Sequence, residues 1–400
     1  MFRVVACAAI AMACGGEPAD GRNDSFGAGD DFIIEETSIE SLAVLRVANE
    51  LSELELETEA GLNSRSAEQI ALARAGRDDV LGTSDDREIV SLAQLDSIPF
   101  VGPIAFRALF RHADLNDFID AYRTRLPSTS RTVAIGDLHG DFESTRRALG
   151  AAGAIDANDQ WIGGDLIVVQ VGDTLDRGDG ERQILEMVSR LELEARDAGG
   201  RYIMLLGNHE LMNAAGDFRS VTPVGFSDYT DADGIDRDDP RIVALPPEQR
   251  GRAAAFLQGG PQAREFARHN VVAVVGDTAF VHGGLTIRSV DTGLKLINHQ
   301  ARAWLLWDDI KLPFELDADD GPVWNRDLAS DETIDCAEVR DTLDAIGVAH
   351  VVVGHTVQDA GITSACDDAV WRVDVGLSRF FEGPIEVLEL TDSSIAVVAE

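Results

Sequence analysis

From Ser41 to about Tyr122 apolar residues recur at helical spacing, and two stretches share one pattern. Leu92, Leu95, Ile98, Val101 and Leu109, punctuated by Pro99 and Gly102-Pro103, predict a helix, a tight glycine turn and a second helix. Leu51 to Ala75, with Gly61 before Ala67 and Ile70, is a looser version. After Pro127 the period changes. Short β-rich runs at Thr132–Ile135, Leu166–Val171, Tyr202–Leu206, Val271–Val275, Ala279–Val281 and His350–Val353 alternate with helical stretches, which predicts an α/β sheet with ligands gathered beyond the strand ends. Residues 214–260 carry Pro, Gly and Asp-rich turns and read as a lid-like insertion.

Composition narrows the partners. The 400 residues are 45% hydrophobic and 26% charged, a globular balance, with a formal net charge of −37 that would repel a phosphate backbone, so nucleic acid is not expected. Four cysteines make neither a disulfide scaffold nor a zinc pattern of paired CxxC motifs, which leaves any metal to His, Asp and Asn. The helical hairpins resemble a tandem helix-hairpin-helix unit, which often grips DNA. Here Asp30 to Leu126 holds 20 Asp+Glu against 9 Arg and no Lys, so residues 32–127 are expected to form a spacer or a protein-contact domain. Asp78-Asp79 and Asp85-Asp86 are more simply read as solvated loop charge than as a calcium site.

Polar motifs follow the strands. The first ends in Gly136-Asp137-Leu138-His139-Gly140-Asp141, where strand alternation would turn Asp137 and His139 to one side. Gly172-Asp173-Thr174-Leu175-Asp176-Arg177-Gly178 follows the second and Gly207-Asn208-His209-Glu210 the third. Two later strands close with His282-Gly283-Gly284 and Gly354-His355-Thr356. Singly each is a turn or a polar strand end, but in sequence they supply Asp, Asn and His donors suited to Mn²⁺, Fe or Zn²⁺.

These motifs resemble those of the calcineurin-like metallophosphoesterases, and within them the phosphoprotein phosphatases with GDxHG, GDxVDRG and GNHE; Leu175 stands where the second pattern has Val. Asn208 to Asn213 with Gly216-Asp217-Phe218-Arg219, Gly321 to Arg326, and Trp371 to Gly376 further resemble the Shewanella-like protein phosphatases. The resemblance implies a metallophosphoesterase β-sandwich flanked by helices over residues 131–400, preceded by the small all-α domain. It implies one metal held by Asp137, His139 and Asp173, with Asp173 bridging to a second held by Asn208, His282 and His355. Two such cations, manganese first, would activate a water for in-line attack on phosphorus. By the same resemblance Arg177 and Asn208 would hold phosphate, with Arg326 and Arg219 as further candidates, and His209 with Asp176 would protonate the leaving oxygen. The implied substrate is a phosphoprotein or phosphopeptide. The alternatives are a dinucleoside polyphosphate or other small-molecule phosphatase, and an envelope binding protein with an inactive phosphatase domain.

At the start of the chain Arg3, an apolar run from Val4 to Ala13 and then Cys14-Gly15-Gly16 resemble a bacterial lipoprotein signal, with a lipid on Cys14 the only expected membrane attachment. Residues 15–31 read as a flexible tether, and the location expected is the cell envelope, or the cytoplasm if 1–14 is not a signal. In an oxidising compartment Cys336 and Cys366, flanking the strand before His355, are expected to pair.

Overall fold

The computed structural model describes residues 38–78, 80–306 and 311–400; the signal-like segment and the tether lie outside them. Described residues before Tyr122 form one compact unit and those from Tyr122 onward another.

In the first unit Ile39–Glu50 is followed by two helix–turn–helix pairs, Glu53–Thr58 with Ser64–Arg74 and Leu92–Asp96 with Pro103–Leu115. Local chemistry sets their ends. Ser52 and Glu55 form a reciprocal capping box, Asn63 caps the next helix, and Gly61 between them has a φ of 79° that a side chain would resist. Apolar residues at helical spacing, Val44, Val47, Leu56, Ile70, Leu95, Phe106 and Phe110 among them, are buried. In the acidic loop Asp78, Asp85 and Asp86 accept backbone N–H bonds from Val80, Arg77 and Gly82, so loop backbone satisfies these carboxylates.

The second unit is a two-sheet sandwich. Its strands are β1 (Arg125–Leu126), β2 (Arg131–Ile135), β3 (Ile167–Gln170), β4 (Arg201–Met204), β5 (Val272–Val275), β6 (Thr278–Val281), β7 (His350–Val353), β8 (Thr363–Ala365), β9 (Val370–Arg372), β10 (Glu386–Thr391) and β11 (Ser394–Ala399). One sheet runs β1-β5-β6-β7-β9-β8 and the other β11-β10-β2-β3-β4. The runs β2-β3-β4 and β6-β7-β9 are parallel, so the loops after β2, β3, β4, β6 and β7 leave at strand C-termini. Ala134, Val169, Leu205, Phe280 and Val352 pack between the sheets, whereas Val133 and Val168, pointing the other way, join the layer under the helices. The helix Glu181–Asp197 presents Ile184, Met187, Val188, Leu191 and Ala195 to that layer at its 3.6-residue period.

One expectation shifts. The helical region was expected to reach 127, but Arg125 and Leu126 pair in parallel with Val274 and Val275, so the second unit begins with this edge strand. The segment 214–260, expected to be a lid-like insertion, has a core of its own. Its helix Arg250–Phe256 is buried, with Ala253, Ala254 and Leu257 forming a small core with Phe218 and Ile242. Cys336 and Cys366 are disulfide-bonded, joining the first turn of helix Cys336–Ile346 to the end of β8.

Candidate metal and phosphate site

Five loops converge past the strand ends, and their backbone is unusual where they do. His139, Asp173, Asp176, Arg177 and His355 all have φ between 45° and 68°, a region that costs a non-glycine residue about 1–3 kcal/mol. Asp137 and His139 therefore converge through a tight turn after β2 rather than by strand alternation, and His139 Nε2 lies 3.8 Å from Asp137 Oδ2. Neighbouring glycines permit the crowding: a Cβ on Gly207 or Gly354 would collide with the carboxylate of Asp173 or Asp137.

Asp173 sits at the centre. Its Oδ2 is 3.9 Å from His139 Nε2, 3.7 Å from His209 Nε2 and 3.3 Å from His282 Nε2. It belongs to two donor groups, His139–Asp173–His209 and Asp173–His282–His355, each with its ligand atoms within 4.8 Å of one another. Burial would raise the pKa of Asp173, but the charges of His282 and His209 hold it well below the usual carboxylate range. Asp137 goes the other way, raised by burial and by its acidic neighbours Asp374 and Asp173. Glu210 braces the loop by accepting backbone N–H bonds from Asp173, Thr174, Leu175 and Gly207 at 2.8–3.3 Å.

The histidines are oriented by their other nitrogens. His139 Nδ1 faces the Leu175 carbonyl at 3.1 Å and His282 Nδ1 faces the Val171 carbonyl at 3.0 Å. A carbonyl only accepts, so Nδ1 donates in each and Nε2 is turned toward the carboxylates. Nε2 of His282 lies 2.9 Å from Asn208 Oδ1, 3.1 Å from His355 Nδ1 and 3.3 Å from Asp173 Oδ2, so four potential ligands crowd one point. His355 Nε2 and Asp137 Oδ2 are buried without a hydrogen-bond partner. Burial lowers the pKa of His139 to about 4 and that of His355 to about 2, so both are neutral near pH 7. Convergent, buried acceptors of this kind fit divalent cations.

His209 is built differently. Its Nδ1 lies 2.5 Å from Oδ2 of the fully buried Asp176, and its Nε2 faces Arg177 Nη2 at 3.4 Å. Burial opposes the imidazolium, but the charge of Asp173 and the hydrogen bond that His209 donates to Asp176 outweigh it and raise the pKa above the ordinary histidine value. Asp176 is itself held by Asn213 Nδ2 at 3.2 Å, and Asn213 by Arg252 Nε at 2.8 Å. Arg252 came from no sequence motif.

The arginines separate. The Arg177 guanidinium lies 5.3 and 5.0 Å from the ring centroids of Phe380 and Phe381, at the edge of a groove of about 500 Å³ also lined by Phe142, Gln183 and Arg379. Arg326 Nη1 donates to the His355 carbonyl at 3.1 Å and to Thr356 Oγ1 at 2.8 Å, beside the loop that carries His355. Arg219 is three-quarters exposed and pairs through two nitrogens with Asp217, so its guanidinium is already engaged. The other histidines have structural settings: His269 faces Glu192 at 3.4 Å, and His350 Nδ1 faces the Asp368 carbonyl at 2.8 Å.

A sandwich that gathers buried Asp, His and Asn at its strand ends defines a metallophosphoesterase. Residues 130–359 match the calcineurin-like phosphoesterase model, and the chain belongs to that family, whose members use divalent metals. It is a metal-dependent phosphatase. It is 38% identical over 325 residues to Shewanella-like protein phosphatase 2 of Arabidopsis thaliana, covering 72% of this chain and 83% of the relative. With Shewanella-like protein phosphatase 1 of Plasmodium berghei the identity is 29% over 262 residues, covering 62% and 68%. Among solved structures, the cold-active protein-tyrosine phosphatase of a psychrophilic Shewanella species superposes with a TM-score of 0.56 at 25% identity, covering 69% of this chain and 82% of that one.

Proposed function

We propose that the chain is a phosphoprotein phosphatase whose centre takes two divalent cations, one held by Asp137, His139 and Asp173 and the other by Asp173, Asn208, His282 and His355. The observation that carries this reading is the central place of Asp173, whose Oδ2 lies 3.9 Å from His139 Nε2 on one side and 3.3 Å from His282 Nε2 on the other. Bound there, the cations would supply activation of a water for attack on phosphorus and neutralisation of charge on the phosphoryl oxygens. The chain's own residues do the rest. Arg177 and the amide of Asn208 bind the phosphate. Arg177 Nη2 and a protonated His209 Nε2 are both donors 3.4 Å apart, and oxygens of a phosphomonoester would satisfy the two together. His209, kept protonated by Asp176, gives its Nε2 proton to the departing oxygen, and the relatives named protein phosphatases support a phosphorylated side chain as that leaving group. Arg326 is read as support for the His355 loop and Arg219 as a surface pair.

Leaving-group dependence tests the assignment. A p-nitrophenolate departs readily without a proton, whereas the alkoxide of serine needs one. His209→Ala is expected to lose about 10²-fold or more on phosphoserine and phosphotyrosine peptides and far less on p-nitrophenyl phosphate, with metal content by elemental analysis unchanged. Equal losses on every substrate, or loss of metal, would place His209 among the ligands instead.

A further inference from the structure

The insertion contributes a residue that touches neither the donor cluster nor the groove, yet is tied to the acid pair. Arg252, on the buried helix Arg250–Phe256, has no solvent exposure. Its guanidinium lies 4.3 Å from the Phe256 ring centroid and 5.4 Å from that of Tyr229. Apart from one bond to the Gly225 carbonyl, its polar contacts lead back toward Asp176. Nη1 pairs with Glu181 and donates to the Gly225 carbonyl at 3.0 Å, and Nη2 lies 3.1 Å from Glu181 Oε2. The same Glu181 oxygen accepts the backbone N–H of Asp176 at 3.1 Å. Nε donates to Asn213 Oδ1 at 2.8 Å, which fixes which way the amide points, so Asn213 Nδ2 must face Asp176 and the His209 carbonyl, at 3.2 and 2.9 Å. Nη2 also stands 3.5 Å from Asp176 Oδ1, the oxygen opposite the one that holds His209.

We infer that Arg252 is a positioning residue for the leaving-group acid: through Glu181 and Asn213 it holds the main chain and the carboxylate of Asp176, and thereby the ring and the proton of His209. The insertion is in this sense part of the catalytic apparatus. The inference rests on His209 being the acid. An arginine that merely filled the core would affect all substrates alike, whereas one that acts through His209 affects a reaction in proportion to its need for a proton.

The experiment compares phenyl phosphate, a poor leaving group, with p-nitrophenyl phosphate in the full-length, metal-loaded protein. Arg252→Met keeps most of the volume and removes the fork, and Asn213→Ala keeps the Arg252–Glu181 pair while removing the amide that joins Arg252 to Asp176 and the His209 carbonyl, so one of the two reports even if the other does not fold. Each is expected to lose roughly ten-fold or more in kcat on phenyl phosphate and less than about three-fold on p-nitrophenyl phosphate, with metal content unchanged. Combined with His209→Ala, neither should cause further loss on phenyl phosphate, because the group it serves is gone. Equal losses on both esters in a folded variant, or full additivity with His209→Ala, would overturn the inference. If His209→Ala alone shows no leaving-group dependence, it is the acid assignment that fails, and the two failures are thus distinguishable.

Discussion

Asp173 is the residue on which the two-cation reading turns, because a ligand shared by both ions has no substitute within reach. Its Oδ1 also accepts the backbone N–H of His209 at 3.0 Å, so one carboxylate fixes both the donor cluster and the start of the helix bearing His209. Asp173→Asn keeps the shape and removes the charge. Turnover of p-nitrophenyl phosphate is expected to fall by at least three orders of magnitude, and bound metal by elemental analysis to drop below one equivalent. A variant retaining near-normal activity with two equivalents would remove the shared-ligand assignment. Residues such as Asp173 and His355 were legible in the sequence because each follows a strand in a short polar motif with glycine beside it. Glu181 and Arg252 were not. Their meaning lies in contacts spanning 71 residues, and nothing local distinguishes a helix-borne Arg that will be buried from one that will be solvated.

At the scale of elements, the alternating β-rich runs identified β2 to β7 to within a residue or two, because a strand buried on both faces reads as an apolar run. The three-residue strands β8 and β9 carried no such run, while β10 and β11, whose Val387, Leu388, Ile395, Val397 and Val398 are apolar, were not among the runs assigned, so the hairpin that ends the second sheet was missed. At the end of β8 the covalent bond between Cys336 and Cys366 supplies order that short strands cannot, closing a loop of sequence separation 30 around β7 and His355. On the chain-entropy account a loop of that size contributes about 3–4 kcal/mol by restricting the unfolded chain. The double variant Cys336→Ser/Cys366→Ser is therefore expected to lose roughly that much in chemical denaturation while keeping hydrolysis of p-nitrophenyl phosphate at permissive temperature. Thiol counting on denatured, unreduced protein should find neither of these cysteines free. Two free thiols at these positions, or a variant as stable as the parent, would sink the idea that the bond steadies this segment.

For the whole molecule the question is where the catalytic unit begins, and the edge strand β1 answers it in a way the sequence period did not. Helical spacing carries the eye to the Pro127 boundary, but Tyr122 to Leu126 is bound into the second unit along its length. Asn270 Nδ2 donates to the carbonyls of Tyr122 and Arg123, Thr124 accepts from Val274 N–H and from Asn298 Nδ2, and Gly276 N–H closes on the Leu126 carbonyl. The fully buried guanidinium of Arg302 stacks 3.9 Å from the Tyr122 ring centroid, a desolvated contact of the kind that contributes about 2 kcal/mol. Without these five residues β5 would become an exposed edge and a buried cation would lose its aromatic face. The residues up to Ala121, by contrast, include none of the donor groups or the acid pair. A truncated chain beginning at Tyr122 is therefore expected to fold and to hydrolyse p-nitrophenyl phosphate within several-fold of the full chain, whereas one beginning at Pro127 should unfold at markedly lower denaturant concentration or fail to accumulate. Measured side by side, equal stability of the two truncations would show that the edge strand is dispensable. A folded Tyr122 chain loaded with metal yet inactive would show instead that the helical hairpins complete the site.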